Sequence, residues 1–378
     1  MKRSGEVAIV GSGVSGLVAA RELYAAGAEI TLFEAEPRLG GHAHTVTVEA
    51  RDGAWDVDTG FIVLNDRNYP RFERILDELR VPTQPAPMTF SVSDGCGDFE
   101  WAATPAGLFA KPRHLVDRRF HGMLADLLRF FREARQLVGQ DGAEALSLRE
   151  FCARRGYSEL FVERLIVPQV AAVWSADPAQ LWDFPARFLA EFLDNHGALQ
   201  LRGRPRWRSV VGGSRTYVEA ISEPFRDRVR AGCPVRRIER TPTGARVFWD
   251  GGSREFDEVV LAVHSDRALA LLADPTPAER EVLGAIPYQP NEVVLHTDTS
   301  LMPRRRRAWA SWNYHLRPEP PGRTTVTYDM NRLQRLPSRT RFLVSLNMTE
   351  EIDPARIIDA YVYEHPVYTA AGIAAQSR

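Results

Sequence analysis

Six residues near the amino terminus, Gly11-Ser12-Gly13-Val14-Ser15-Gly16, form a G-x-G-x-x-G run, and Glu34 follows 18 positions after the last glycine. The chemistry of such a run lies in what its residues lack. Gly11 permits a tight turn, and Gly13 lets backbone approach a pyrophosphate where a Cβ would collide. Gly16 lets a helix pack closely on a strand. A helix opening at Val14 presents unpaired N–H groups and a positive dipole end to phosphate oxygens. A carboxylate at Glu34 can accept both ribose hydroxyls of an adenosine, and it repels a 2′-phosphate, which disfavours NADP. The following stretch, Glu34-Ala35-Glu36-Pro37-Arg38-Leu39-Gly40-Gly41-His42, adds a cation at Arg38. Its glycine pair gives N–H groups a second place to face an anion.

These residues need elements to hold them. Val7 to Val10 is a short β-branched run that predicts a buried strand. Leu17, Ala20, Leu23 and Tyr24 recur at helical spacing until Gly27, and Ile30 to Phe33 predicts a second strand that closes on Glu34. Strand, glycine run, helix, strand, acid is the order a dinucleotide fold requires. A glycine turn in an unrelated α/β domain is the alternative. From Pro70 to about Ala198 the chain reads as mostly helical. Pro70 suits a first helical position, Ser147 with Glu150 makes a capping box, Asp177-Pro178 starts a turn, and Gly197 ends a helix begun at Pro185. An insert of that size predicts a substrate-binding cap. Strands return at Pro234 to Ile238, Arg246 to Trp249 and Val259 to Val263. Alternating segments at Val293 to Thr297, Ala308 to Tyr314, Thr324 to Tyr328 and Phe342 to Leu346 predict an antiparallel sheet walling a cavity.

The Glu34 to His42 stretch resembles the E-x-x-x-R-x-G-G-[RH] segment of the flavin-containing amine oxidase superfamily, which includes monoamine oxidases, protoporphyrinogen oxidase and phytoene desaturases. The resemblance implies that Arg38, Gly40 and Gly41 lie along the FAD pyrophosphate, with Thr45 as the Ser or Thr that follows. His42 then replaces the superfamily's arginine near the flavin phosphates. Asp58-Thr59-Gly60-Phe61 looks like the D-x-G turn that brings backbone against the flavin ring, and the residue matching Val235 contacts adenine through backbone groups. An NAD enzyme needs no second phosphate-facing loop here, so FAD is the expected cofactor. A narrower resemblance rests on Gly41-His42-Ala43-His44-Thr45, Asp58 to Val63, Trp309 to Tyr314, Tyr328-Asp329-Met330-Asn331 and Tyr363-Glu364-His365-Pro366. Together these look like bacterial NAD/FAD-binding oxidoreductases encoded beside cyclopropane-fatty-acyl-phospholipid synthases, which implies a lipid or fatty-acyl substrate.

The expected fold is α/β: a discontinuous, amine-oxidase-like Rossmann-type FAD domain with a helical cap and an antiparallel-sheet substrate domain. Residues 1–69 plus 203–270 would form the FAD domain, and 70–202 plus 271–378 the cap and substrate domain. The superfamily completes its flavin site with a C-terminal strand, glycine turn and helix. The stretch Ala370 to Arg378 comes before any such motif, so the sequence reads as lacking that piece and is expected to purify with little or no flavin. The expected reaction is hydride movement between an organic, fatty-acyl or lipid substrate and flavin. Flavin-dependent isomerisation, or a non-catalytic flavin-binding role beside a lipid-modifying enzyme, are the alternatives. No catalytic residue is assigned, because hydride chemistry on a flavin often needs none.

Composition narrows the remaining classes. At 378 residues the chain is long enough for two domains of roughly 100–200 residues each. Its 48 basic and 49 acidic residues leave a net charge of −1, which provides no global field for nucleic acid. Cys96, Cys152 and Cys233 are odd in number and form no CxxC pair, so neither a disulfide framework nor a zinc site is expected, and the protein reads as cytoplasmic. His42 and His44, placed on one face of a strand, lack a third metal ligand; no metal is expected. Arg304 to Arg307 reads as a solvated loop, with contact to lipid phosphates as the runner-up. Arg202-Gly203-Arg204-Pro205 mimics a DNA minor-groove hook, which the near-neutral chain argues against. Trp174, Trp207, Trp312, Tyr314 and Tyr328 are candidates for a cavity wall as well as for core packing. Asn313 and Asp329 are candidates for a cavity or for solvent. Oligomeric state is left open.

Overall fold

The apolar run at Val7 extends as the strand Glu6–Val10, buried along all but its first residue. The helix Val14–Ala25 follows at once and buries Gly16, Leu17 and Ala20. Gly27 adopts φ +85° and closes the helix, with its N–H donating to the Tyr24 carbonyl and that of Ala28 to Leu23. Glu29–Phe33 then pairs parallel with the first strand. This computed structural model describes residues 5–139, 146–174, 180–200, 203–317 and 322–378.

Four strands form the parallel sheet, in the order Val229–Arg230, Glu29–Phe33, Glu6–Val10 and Glu258–Leu261. Two of them arrive from beyond residue 220, so the sheet is assembled from discontinuous chain, as expected. A three-stranded antiparallel sheet, Val235–Thr241, Gly244–Trp249 and Gly252–Phe256, packs against it through Phe33, Ile238, Val247 and Phe256.

The late strands do build a wall, but it is mixed rather than antiparallel. Its seven strands run Ile357–Pro366, Tyr288–His296, Leu343–Leu346, Val326–Asp329, Trp312–His315, Phe90–Ser93 and Glu100–Ala102. Trp312–His315 pairs parallel with Phe90–Ser93, and every other neighbour is antiparallel. The segment expected to be mostly helical therefore supplies two strands of this wall, and Thr83–Pro85 adds a third to a small sheet with Val63–Asn65 and Trp207–Val210. These strands are three or four residues long. Phe90–Ser93 and Glu100–Ala102 pair with each other locally, but their link to Trp312–His315 and that of Thr83–Pro85 to Trp207–Val210 span more than a hundred positions, so local periodicity carries no trace of those pairings.

The cap is helical beyond that point. Asp117 accepts N–H groups at the start of Arg118–Leu137, and Ser147 with Glu150 forms the expected capping box of Leu148–Arg155. Glu159–Phe161 runs through one π turn, Val162–Ile166, into Val167–Trp174. Ala186–Asn195 ends at Gly197, which has φ +65°. Phe120, Phe130 and Phe161 of these helices share one core with Val92, Val293 and Leu346 of the wall. The expected turn at Asp177-Pro178 and residue Arg202 lie outside the described residues.

Candidate functional site

The glycine run sits between the first strand and the first helix, and its members meet different surroundings. A Cβ on Gly16 would lie 1.9 Å from the Gly11 carbonyl oxygen, so that glycine is demanded by the protein's own packing. A Cβ on Gly13 would meet no protein atom within 4 Å. Gly13 also has φ −57°, which any residue tolerates. Nothing inside the chain requires glycine there, which leaves close approach by an external group as the physical reason. The helix beginning at Val14 has no side-chain cap and no acid in its first turn, so its N–H groups remain available to an anion.

Glu34 turns toward this loop. Its carboxylate accepts the N–H and hydroxyl of Ser12 and, at 2.9 Å, the N–H of Glu36. Ser12 is fully buried, Val14 is half-buried, and Ser15 and Ala35 are exposed. The strand carrying Val235 is drawn to the same place, because Cys233 N–H donates to the Glu34 carbonyl at 2.8 Å. Trp249, opposite Val235 in register, packs on Phe33 and carries the Arg230 guanidinium over its ring. Arg230 and Trp249 had no signal in the sequence as neighbours of Glu34.

The second glycine loop lies directly on the first. Gly40 N–H donates to the Ser12 carbonyl at 3.0 Å, and a Cβ on Gly41 would come 3.3 Å from Gly13 Cα. Arg38 donates to the Gly41 carbonyl at 2.7 Å, which holds its guanidinium over this loop. Thr45 faces elsewhere: its hydroxyl donates to Asp58 at 2.6 Å and receives the Arg215 N–H, deep in a buried network with Ser214. Burial pushes the Asp58 carboxyl up to about 6, against the hydrogen bonds from Thr45 and Ser214.

Neither His42 nor His44 lies in a strand, contrary to expectation, and their side chains find different partners. His42 packs among His264, His365 and Tyr363, with ring centroids 5.9, 5.5 and 4.7 Å away. Burial first, then His365, His264 and Arg38, lowers its imidazole to about 4. His44 joins Thr59 and the Tyr363 hydroxyl through contacts of 3.0 and 2.9 Å, and burial lowers it to about 4 as well. Thr59 and Phe61 donate their N–H groups to the His44 and His42 carbonyls, knitting the Thr59-Gly60-Phe61 turn to the second loop.

That turn opens onto a cavity of about 760 Å³. Thr59, Gly60, Phe61, Tyr363 and His365 line one part of it, and Leu127, Phe131, Leu165, Trp174 and Phe192 come from the cap. Trp207, Trp312 and Tyr328 complete much of the wall, whereas Tyr314 is buried away from it. Asn313 and Asp329 face neither cavity nor solvent: Asn313 accepts from Ser91 and Ala310, and Asp329 pairs with Arg332 and Arg341. The Arg304 to Arg307 cluster is exposed except for the half-buried Arg305, whose guanidinium pairs with the buried Glu100; that carboxylate also accepts the main-chain N–H groups of Arg304 and Arg305. Tyr363 and His365 lie in a block that carries the family resemblance, but nothing in their local sequence marks them as cavity residues. Arg204, whose surroundings resemble a DNA hook that the near-neutral charge argues against, lines the cavity.

Paired glycine loops over a free helix N-terminus, an acid beside them and an apolar cavity at the next turn define a dinucleotide-binding protein with its own ligand chamber. The fit to FAD rests on the open space above Gly13 and on the second loop that lies against it. A family profile described as flavin containing amine oxidoreductase matches residues 14–345, and the chain belongs to that family, whose members bind FAD. It is 26% identical over 288 residues to AofH of Mycobacterium tuberculosis, which bears the name of a flavin-containing monoamine oxidase; the match covers 71% of this chain and 59% of that protein. The chain thus spans less than two thirds of that relative. A putrescine oxidase structure superposes with TM-score 0.65 at 17% identity, covering 95% of this chain and 84% of the other. A CLA-producing fatty acid isomerase from P. acnes gives 0.66 at 17%, covering 97% and 88%. Both likenesses are of fold.

Proposed function

We propose that this protein is an FAD-dependent oxidoreductase that moves a hydride between an apolar, fatty-acyl-type substrate and flavin. The observation that carries the reading is the position of the cavity, which begins at the turn bound to both histidine carbonyls of the second glycine loop. Bound FAD supplies the hydride-accepting ring. The chain's own residues do the rest. Gly11 to Gly16, Arg38, Gly40 and Gly41 receive the diphosphate; Glu34 takes the ribose and Val235 lies beside the adenine. Thr59 to Phe61 would supply backbone toward the ring, and His42, held uncharged by burial, would lie on the phosphate side. Residues 1–69 with 203–270 form the nucleotide half in this reading, and the remainder forms the cap and wall. The apolar lining orients the substrate and excludes water.

The fatty acid isomerase among the structural neighbours favours a second reading, isomerisation on the same scaffold. Anaerobic mixing of flavin-loaded protein with a candidate substrate separates them. Lasting loss of the oxidised flavin spectrum is expected for net oxidation, and turnover without lasting bleaching would replace it with isomerisation. Absence of both in the purified protein would leave a binding role beside another enzyme.

A further inference from the structure

We propose that the cavity accepts an apolar chain ending in one carboxylate, and that Arg204 binds that end group. This narrows the substrate class of the reading above and rests on it only for the chemistry at the other end of the chain. Among the described lining residues there is no aspartate, glutamate or lysine, and Arg204 is the one guanidinium. Arg204 is exposed as well as cavity-lining, so it stands where the chamber meets solvent. Its Nε donates to the Gln200 carbonyl at 2.6 Å, which holds the stem in place. Among the described residues its two Nη groups make neither a hydrogen bond nor an ion pair. Its neighbours differ: Arg206 is matched to Asp66, and Arg67 donates to the Asp194 and Gly203 carbonyls. A planar fork without a partner among the described residues, at the mouth of an apolar chamber, suits a carboxylate, which it can grip through two parallel hydrogen bonds.

The same lining disfavours a charged amine. An ammonium group moved from water into this chamber would find no anion among the described residues, and burying an unpaired charge is costly. Burial keeps His196 and His365 below the ordinary imidazole range, so at neutral pH they add no second cation that would compete with Arg204 for the head group. The family's name describes amines, but the charge this chamber presents at its opening, the Arg204 guanidinium, has the same sign as an ammonium.

Titration of the purified full chain with dodecanoate, dodecylamine and dodecanol, followed by the fluorescence of the lining tryptophans, tests this without turnover. Dodecanoate should bind at least about tenfold more tightly than dodecylamine. Arg204→Gln should abolish that preference while dodecanol affinity stays unchanged, and Arg204→Lys should restore part of it. Equal binding of amine and carboxylate, a preference that survives Arg204→Gln, an equal loss of dodecanol affinity, or no binding of any of the three would overturn the proposal. Because the readout is equilibrium binding, a failed hydride-transfer experiment would sink the oxidoreductase reading and leave this one standing, and the converse also holds.

Discussion

Gly13 and Gly16 are three positions apart, and they would fail for different reasons. Gly16 is held by its own chain, since any Cβ there strikes the Gly11 carbonyl. Gly16→Ala should therefore cost about 3 kcal/mol or more, read from urea unfolding. Gly13→Ala places its methyl in open space and should change stability by less than about 0.5 kcal/mol. It should nevertheless weaken FAD binding at least about tenfold in a flavin fluorescence titration. Equal FAD affinity in Gly13→Ala would remove the diphosphate from this loop. The packing role of Gly16 was legible from residue type, because a glycine's meaning is carried by backbone geometry that recurs wherever the motif occurs. Thr45 shows the limit. Its type and place match a phosphate ligand, yet its hydroxyl is turned to Asp58 by strand register that no short motif encodes.

Among the elements, the seven-stranded wall has two faces with different chemistry. Val293, Tyr328 and Leu346 look into the cavity. Period-two alternation puts Thr327 and Ser345 on the other face, where they form a buried chain of hydroxyls between two histidines. His296 Nε2 meets Ser345 at 2.8 Å, Ser345 meets Thr327 at 2.7 Å, and Thr327 meets His315 Nε2 at 2.9 Å. Asp298 N–H donates to His296 Nδ1, which leaves the proton on Nε2 and sets the direction of the chain. Ser345→Ala breaks it in the middle and leaves buried polar atoms unmatched. The expected loss is about 1–3 kcal/mol in urea unfolding, with dodecanol binding in the cavity unchanged. A neutral substitution would show that the chain is replaceable by packing. None of this was visible in the alternation of the late strands, which indicates that one face is buried and says nothing when both are.

Across the protein, burial of histidines sets the response to acid. His42, His44 and His296 are lowered to about 4 and His315 to about 3, with burial the largest cause in each. An unfolded imidazole takes its proton near 6.5. As pH falls from there toward 4, the unfolded chain gains protons that the folded chain refuses, so stability drops through that window and the loss is complete below it. Asp58 acts in the opposite sense. Raised to about 6 from 3.8, it is protonated in the folded state first and contributes stability as pH falls between those values. Burial also lowers His114, His196 and His365, so one carboxyl opposes seven imidazoles and the net change should be destabilising. The urea midpoint should be clearly lower at pH 5 than at pH 7.5, and an unchanged or higher midpoint at pH 5 would contradict this account.

The amino-terminal βαβ unit, its nucleotide chemistry and the helical character of most of the cap followed from local pattern, because glycine turns, caps and amphipathic spacing are short-range physics. The mixed wall, the meeting of His42 with His264 and His365, and the cavity bounded by Thr59, Tyr363 and Arg204 depended on the folded chain. Those contacts join residues more than three hundred positions apart, and no property of either partner alone marks it as a neighbour of the other. Which face of a strand is wet, and which charge stands at a cavity's opening, are decided by long-range packing after the local elements have formed.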